Sequence, residues 1–517
     1  MTGRREEFFR GVLAAAGSLA VVFAAGAVIR VIPYPPAALA SLIIKAAPGD
    51  LATAMIETLG HWAMRLLVIG VHAGMLVFGG LMAPVLGRPD RPRGRARRGL
   101  GAAVILAGAA TLLGLSAPIA FNLLAPIVYA VAGLIFGRWA SGEPLSAAFE
   151  PSVRPGETPL DAMQRSRRRF VIRAAAAVGG LLVGGAATLK FLTGGSPIEV
   201  DISLADEPFR APPDDPDFPK VAGHSPEITD NDAFYTVDIN IIKPSVDHTS
   251  WRLEIHGLVD RPYRLTYRRL QSEFAVREIA HTLTCISNEV GGDLISTAVW
   301  RGVRLRDVLE RAGLKDGVVD IVFRAAEGYS DSIPLAKALE DHTMVVFGMN
   351  GEALPREHGF PARIVVPGIY GMKNVKWLTE IEAVDFDYQG YWMVRGWSDI
   401  ATVKTESRID TPTEGTVTLP AMLAGVAWAG DRRVMKVEVS DDEGRSWRPA
   451  VLKRELSPLT WRLWAADVEP GRGRRRVMVR ATDGSAEVQT SRATAPHPDG
   501  ASGNHVVVFE VESPQSS

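Results

Sequence analysis

The pattern of hydrophobic and polar positions changes between residues 192 and 200. Residues 1–192 are rich in alanine, glycine, leucine and valine, and they contain long stretches without a charged side chain. Uncharged stretches of about 20 apolar residues are typical of helices that cross a bilayer. We therefore predict a membrane domain with five transmembrane helices, at residues 12–30, 65–86, 99–117, 120–137 and 171–192.

Arginine-rich segments predict how this membrane domain is oriented. They lie at the amino end, at 88–98 and at 165–173. Five crossings put all three on one side of the membrane, which the positive-inside rule makes cytoplasmic. Ser166-Arg167-Arg168-Arg169-Phe170 also resembles a twin-arginine export signal. We expect a multi-pass protein of the cell membrane, with a cytoplasmic amino terminus and an extracytoplasmic catalytic domain.

The remainder of the chain has the pattern of a soluble β-rich protein. Residues 193–227 form a Pro- and Asp-rich linker, and an alternating strand starts at Trp251. Residues 405–512 contain short alternating strands that are broken by Gly and Asp turns, which predicts a β-sandwich. The net charge of −1 gives no indication of nucleic-acid binding.

Cys285 is the only cysteine of the 517 residues. A single thiol excludes an internal disulfide and a four-thiolate zinc or iron–sulfur site. One thiolate can still be the only protein ligand of a soft metal whose other ligands come from an organic cofactor. Two alternatives remain open: a buried inert cysteine, and a zinc site with His281, four residues earlier.

Five segments of the chain carry distinctive motifs. They are residues 281–292 around Cys285, Asn231-Asp-Ala-Phe234-Tyr235, Tyr329 three residues before Ser-Ile-Pro, His358-Gly-Phe-Pro with its following arginine, and the Lys-x-x-Lys loop that ends at residue 376. Together they resemble the sulfite oxidase family, in which the first is similar to the molybdenum-cysteine segment, the second to an element that lines the pterin and the third to a tyrosine near the metal. The last two segments are the most specific.

The resemblance implies a role for each of these residues. Cys285 would bind molybdenum, and Cys285 and Tyr329 would be catalytic. The residues implied to bind the cofactor are Asn231, Phe234, Tyr235, Asn240, Asn288, His358, Arg363, Lys373, Asn374, Val375 and Lys376. Physical chemistry supports this for the pterin phosphate, because Arg363, Lys376 and the turn at 371–375 offer planar, point-charge and backbone N–H donors. Arg363 in a Val-Val-Pro strand is also costly to bury without an anion.

The resemblance also implies the fold class: membrane helices, then an α+β sulfite-oxidase molybdopterin-binding domain, then an all-β immunoglobulin-like sandwich. The expected boundaries are 228–400 for the molybdopterin domain and 405–512 for the sandwich, an immunoglobulin-like Mo-co dimerisation domain. That domain implies a homodimer.

The implied function is two-electron oxygen-atom transfer on a small-molecule substrate, with a molybdenum–molybdopterin cofactor. Because the chain has no Cys-x-x-Cys-His motif, we expect an external electron carrier, namely a cytochrome, a quinone or another redox protein. Sulfite oxidases follow Cys-x-x-Asn with arginine, whereas this chain has Glu289, which disfavours sulfite. The competing hypothesis is a non-catalytic, membrane-anchored binding or assembly module on a degenerate molybdoenzyme fold.

Overall fold

The computed structural model describes residues 62–85 and 200–512, except 241–242 and 470–472, together with isolated positions before residue 62. The chain divides into two compact units. One contains residues 1–195 and 239–242, and the other contains residues 196–238 and 243–517.

The first unit contains the described helix α1 (Trp62–Val85). Among the described residues, no helix is long and apolar enough to cross a membrane. The membrane part of the predicted fold class is therefore wrong. The prediction counted uncharged residues, but α1 contains Arg65, His72 and four glycines, whose transfer into lipid is unfavourable or contributes little. The other four predicted spans and the twin-arginine segment lie almost entirely outside the described residues.

The second unit begins with an α+β domain of two five-stranded sheets and three short α-helices. One sheet has the order β3-β4-β7-β8 with β9 paired to β7, and the other has the order β2-β1-β10-β5-β6. The elements are β1 (Arg252–Gly257), β2 (Tyr263–Thr266), α2 (Tyr267–Ser272), β3 (Arg277–Thr284), β4 (Ile295–Arg304), α3 (Leu305–Ala312), β5 (Asp320–Ala325), β6 (Ser330–Pro334), α4 (Leu335–Ala338), β7 (Met344–Met349), β8 (Glu352–Ala353), β9 (Arg363–Val365) and β10 (Leu378–Val384). Short 3₁₀ turns lie at Arg356–His358, Gly371–Lys373 and Met393–Arg395.

The candidate residues of this domain stand at the ends of buried strands. Every residue of β7 is buried, and so are the last five of β3. Cys285 directly follows β3, Tyr329 directly precedes β6, and Arg363 is the first residue of β9. Strand ends on a rigid sheet hold side chains in fixed positions, which is what a catalytic site requires.

The carboxy-terminal part is the predicted β-sandwich. Its two sheets have the orders β11-β13-β17-β16 and β12-β19-β18-β14-β15. The strands are β11 (Glu406–Thr411), β12 (Thr416–Thr418), β13 (Met422–Trp428), β14 (Val434–Ser440), β15 (Arg448–Pro449), β16 (Val451–Leu452), β17 (Arg462–Asp467), β18 (Gly473–Asp483) and β19 (His505–Glu512), with a 3₁₀ turn at Gly430–Arg432. Alternate residues such as Val437, Val479 and Trp464 fill the space between the sheets.

A second apolar cluster joins the sandwich to the α+β domain. It combines Ile286, within the loop after β3, and Ile295, the first residue of β4, with Val426 and Trp428 of β13. Phe218, from the stretch predicted as a linker, is buried in the same cluster. Phe218 of the predicted linker therefore packs on the domains that the linker was expected to join.

Candidate active site

The loop after β3 buries Cys285 and holds it in place. The backbone N–H of Cys285 donates to the Leu294 carbonyl at 2.9 Å, and the sulfur lies 3.0 Å from the hydroxyl oxygen of Ser287. Only 7% of the residue is exposed. Burial raises the pKa of the Cys285 thiol, although its hydrogen bonds with Ser287 and the charge of Lys376 oppose the rise. A bound metal ion would displace this proton, because metals bind the thiolate.

Asn288 supports this loop from within. Its side-chain oxygen accepts from the N–H of Leu294 at 3.0 Å, and its amide donates to the carboxylate of Glu406 at 3.4 Å. Burial raises the pKa of Glu406 to about 7, against smaller opposing effects of Thr284 and Arg408. The structure thus shows Asn288 as a support of the cysteine loop, while its predicted contact with the cofactor stays a prediction.

An aromatic group lies beside the 3₁₀ turn that ends at His358. The ring of Phe234 meets His358 edge-on, with centroids 5.2 Å apart, and Trp300 at 5.6 Å. The Nε2–H of His358 donates to the Asn231 carbonyl at 2.9 Å. Burial lowers the pKa of His358 to about 3, so the imidazole is neutral and its Nδ1 is a hydrogen-bond acceptor.

Tyr235 follows Phe234 and stacks on it, with ring centroids 5.6 Å apart. Burial raises the pKa of Tyr235 well above its usual value; the charge of Cys285 raises it further and that of Arg363 lowers it. The phenol therefore lies within electrostatic range of both groups. A Cβ at Gly371 would lie 2.7 Å from its hydroxyl oxygen, so the glycine lets this turn approach closely.

Arg363 is a buried cation that has no carboxylate partner among the described residues. Its guanidinium donates to the carbonyls of His358 at 3.2 Å and Asn374 at 3.1 Å, and it lies over the Trp300 ring at 5.1 Å. Burial lowers the pKa of Arg363 to about 10. A guanidinium held only by neutral groups is costly to bury, and a phosphate is the kind of group that compensates it. The cluster therefore fits the anionic end of a pterin cofactor.

Lys376 reaches the same cluster but already has an anionic partner. Its ammonium group donates to Asp238 at 2.8 Å and to the Glu357 carbonyl at 3.1 Å. Burial lowers the pKa of Lys376 to about 8. Burial alone would raise the pKa of Asp238, but Lys376 and Lys243 bring it down to about 2. The cations Arg363, Lys376 and Lys243 outnumber the carboxylate of Asp238, so the net charge of this cluster is positive.

Lys373 points into a different network from Lys376. Its ammonium group binds Asp331 at 3.1 Å and Asp399 at 3.2 Å, and it is 1% exposed. The hydroxyl of Tyr329 donates toward the same Asp331, at 3.1 Å. Lys373 is thus connected through Asp331 to Tyr329, the predicted catalytic tyrosine, and does not belong to the cluster around Arg363.

The remaining predicted residues have structural surroundings. Asn374 accepts from the N–H of Val366 at 2.7 Å and donates to Tyr370 O at 3.1 Å. The carbonyl of Val375 accepts from the N–H of Ile364 at 2.9 Å. Asn240 is buried in the segment 239–242, which groups with the first compact unit, so its assignment stays a prediction.

Sequence reasoning missed Asp331, Glu406 and Trp300. Asp331 stands only two residues after Tyr329 in the sequence, but the alternating pattern of a strand does not predict that its carboxylate accepts a hydrogen bond from that tyrosine. Glu406 is 118 residues from Asn288, so no local pattern connects them.

The zinc alternative does not agree with the structure. The described residues contain no group of three or more side chains that could hold a metal ion. His281 lies on β3, and a four-residue separation on a strand spans about 13 Å. The Nδ1–H of His281 donates to the Leu459 carbonyl at 3.1 Å.

Comparisons with known proteins identify the family. The model of the oxidoreductase molybdopterin binding domain matches residues 240–392, and that of the Mo-co oxidoreductase dimerisation domain matches residues 394–495. Sulfite oxidase from Gallus gallus is 31% identical over 314 residues, which cover 51% of this chain and 68% of that protein. The chain belongs to the sulfite oxidase family.

Other relatives of the family cover smaller shares. Sulfite oxidase, mitochondrial, from Homo sapiens is 30% identical over 351 residues, which cover 56% of this chain and 64% of that protein. Nitrate reductase [NAD(P)H] from Betula pendula is 29% identical over 315 residues, which cover 48% of this chain and 35% of that protein. The crystal structure of the sulfane dehydrogenase SoxCD from Paracoccus pantotrophus covers 56% of this chain and 84% of its own, at 24% identity and a TM-score of 0.49.

Family membership confirms two of the predictions. The chain is a molybdopterin-dependent oxidoreductase of the sulfite oxidase and nitrate reductase type, and its cofactor is molybdenum–molybdopterin. The competing hypothesis of a non-catalytic binding module has no support. The roles of individual residues remain predictions, which the cluster around Arg363 makes testable.

Arg363→Met is expected to remove most of the bound pterin, because no other described cation in this cluster lacks a carboxylate partner. Fluorescence of pterin released by denaturation measures the effect. Arg433→Met is the matched control, since Arg433 is a half-exposed arginine of the sandwich that pairs with Glu455. Equal pterin content in both variants would contradict the phosphate assignment.

The pH dependence of stability should report on His281. Burial lowers the pKa of His281 to about 3, so the ring is neutral when folded and becomes protonated below about pH 6.5 only when unfolded. Its contribution to the free energy of unfolding is present above that pH and falls by about 1.4 kcal/mol per unit as the pH drops toward 3. We therefore expect the free energy of unfolding, measured with urea, to fall less steeply between pH 6 and pH 5 in His281→Gln than in the unmutated chain. An equally steep fall in both chains would contradict this prediction.

Proposed function

We propose that this oxidoreductase transfers an oxygen atom to or from a small, uncharged substrate, with Cys285 as the protein ligand of molybdenum. The observation that carries the proposal is the buried guanidinium of Arg363, which has neutral protein partners only; its charge and that of Cys285 both act on the phenol of Tyr235. When bound, the cofactor supplies the two-electron change that oxygen-atom transfer requires.

The chain's own residues would bind and orient the cofactor. Arg363 would hold the phosphate, with Lys376 adding positive charge. His358 is neutral and offers Nδ1 as an acceptor for an N–H group of the pterin. Cys285 would fix the metal beside Tyr329, whose pKa rises through burial and through the charges of Asp331 and Cys285. Because the phenol stays protonated, it can form hydrogen bonds but does not act as an anionic base.

The charges on the substrate side support an uncharged substrate. Asp331 and Glu327 both raise the pKa of Tyr329, so the tyrosine lies in a negative field. Glu289, which replaces the family's arginine, is exposed. An anion such as sulfite would be repelled by these carboxylates, whereas a sulfoxide or an N-oxide would not.

Cys285→Ser is expected to lose molybdenum, because a hydroxyl is a poor substitute for a soft thiolate ligand. Elemental analysis of the purified chain measures the metal, and a panel of sulfite, sulfoxides and N-oxides with artificial electron donors and acceptors then measures turnover. Ser287→Ala is the matched control, since it removes the partner of the sulfur but keeps the ligand. An unchanged molybdenum content in Cys285→Ser would contradict the assignment of the metal ligand. Turnover of sulfite but of no sulfoxide or N-oxide would contradict the proposed uncharged substrate.

We propose that the chain works as a homodimer and exchanges electrons with a separate carrier. The match to a Mo-co dimerisation domain supports the first statement. The second is supported by the sequence, because one cysteine cannot form a c-type haem attachment motif. Analytical ultracentrifugation of the full chain at micromolar concentration should give the mass of two chains; a single chain at that concentration would refute the dimer.

We also propose that the catalytic domain acts outside the cytoplasm. Support comes from Arg167 and Arg168 in the twin-arginine-like segment, since that export route carries folded proteins and the cofactor is inserted before export. Cell fractionation should find the protein outside the cytoplasm, and replacing both arginines by lysine should retain it inside. An unchanged distribution would contradict the proposal.

A further inference from the structure

We propose that Asp331 is a positioning residue, which fixes the hydroxyl group of Tyr329 and is itself held by Lys373. This inference rests on the proposed function, in which Tyr329 faces the substrate. It assigns a role to an acidic residue that the sequence did not single out, and it removes Lys373 from the cofactor-binding set.

Two acceptors compete for the hydrogen of the Tyr329 hydroxyl. One is the Asp331 carboxylate at 3.1 Å, and the other is the Met372 carbonyl at 2.8 Å. A phenol has one hydrogen and two lone pairs. Because both acceptors belong to the protein, the hydrogen is committed to them. A substrate then meets the oxygen of Tyr329 as an acceptor.

The carboxylate of Asp331 is fully used by the protein. One oxygen accepts from the N–H of Ser332 at 2.8 Å and from Lys373 at 3.1 Å, while the other accepts from Tyr329. Lys373 also donates to the Ser332 carbonyl at 2.9 Å and to Asp399 at 3.2 Å. A buried network with every member bonded holds its groups in one arrangement.

The backbone at Gly390 closes this network from the other side. A Cβ there would lie 2.7 Å from the Ser330 carbonyl oxygen and 2.9 Å from the Cα of Asp331. The N–H of Tyr391 donates to Ser330 O at 2.9 Å, and its ring lies 5.7 Å from that of Tyr329. Asp331 is 0% exposed as a result. The carboxylate cannot turn toward water without moving the backbone.

A buried Asp–Lys pair alone would serve only the fold, and many such pairs do. The second oxygen of Asp331 distinguishes this one, because it points to the hydroxyl of Tyr329. Asp399 provides the contrast. It also pairs with Lys373, but its side chain is 41% exposed, and the bonds of Tyr329 go to Asp331 and Met372.

The charge state of Asp331 links this geometry to pH. Burial raises the pKa of Asp331 to about 6, while Lys373, the Ser332 N–H and Tyr329 oppose the rise. Further charged and titratable groups stand behind these partners. Asp399 binds Lys373, and Asp320 accepts from the Ser332 hydroxyl at 2.8 Å; Tyr388 lies next to Ser330. Turnover should therefore be full well above pH 6, where Asp331 is ionised, and should fall as the pH drops through about 6.

The test is a double-mutant cycle in the cofactor-loaded full chain. Asp331→Asn should keep its molybdenum and lose about tenfold in kcat, the factor that corresponds to one hydrogen bond to a charged group. In the Tyr329→Phe background the same change should cost nothing further. Asp399→Asn is the matched control and should stay within about twofold.

A second measurement does not depend on activity. The free energies of unfolding of the four chains in this cycle should be non-additive for Asp331 and Tyr329. In the matching cycle, which adds Asp399→Asn and its double variant with Tyr329→Phe, the free energies should be additive. Additive values for Asp331, an unchanged kcat of Asp331→Asn, or an undiminished loss in the Tyr329→Phe background would overturn the inference. Absence of molybdenum from the unmutated chain would refute the proposed function instead. In that case the unfolding cycle would still test whether Asp331 and Tyr329 interact.

Should Asp331→Asn fail to fold, the pH profile of Tyr329→Phe decides. If Asp331 acts through the tyrosine, the acidic fall in kcat near pH 6 disappears in this variant. If the fall remains unchanged, Asp331 does not act through Tyr329.

Discussion

The arrangement of the site depends on one buried cation. The guanidinium of Arg363 is fixed by neighbouring backbone carbonyls and by the face of Trp300, all of which are neutral. Burying a cation without an anionic partner costs free energy, so an anion that binds beside Arg363 would stabilise the folded protein. The 3₁₀ turn at His358, the aromatic residues after Asn231 and the turn at Gly371 all converge on it. Cofactor binding and the folding of these segments are therefore coupled.

Charge is divided between the two sides of the site. The side of Arg363 and Lys376 has more positive than negative groups, whereas the side of Tyr329 has the carboxylates of Asp331, Asp399 and Glu327 with the ammonium group of Lys373. This division separates two tasks in space. In the proposed function, the positive side would retain the cofactor and the negative side would admit an uncharged substrate.

The sequence predicted the parts of the site that short motifs encode. Phe234, His358 and Arg363 were assigned to one cluster and lie in one, because strand ends and tight turns transmit local order directly. The sequence did not predict side-chain directions that depend on packing against residues distant in the chain. Lys373 and Lys376 are three residues apart, yet the 3₁₀ turn sends them to different carboxylates, Asp331 and Asp238. For the membrane part, the described residues contain no helix that is long and apolar enough to cross a membrane, and α1 contains Arg65, His72 and four glycines, which lower its apolarity.

The hydrogen bond between Asn288 and Glu406 crosses from the cysteine loop to the first strand of the sandwich. Ile286, within that loop, and Ile295, the first residue of β4, are packed against the same sheet. The loop that contains Cys285 thus packs against both the α+β domain and the sandwich. A chain that ended before residue 405 would leave Asn288, Ile286 and Ile295 without these partners.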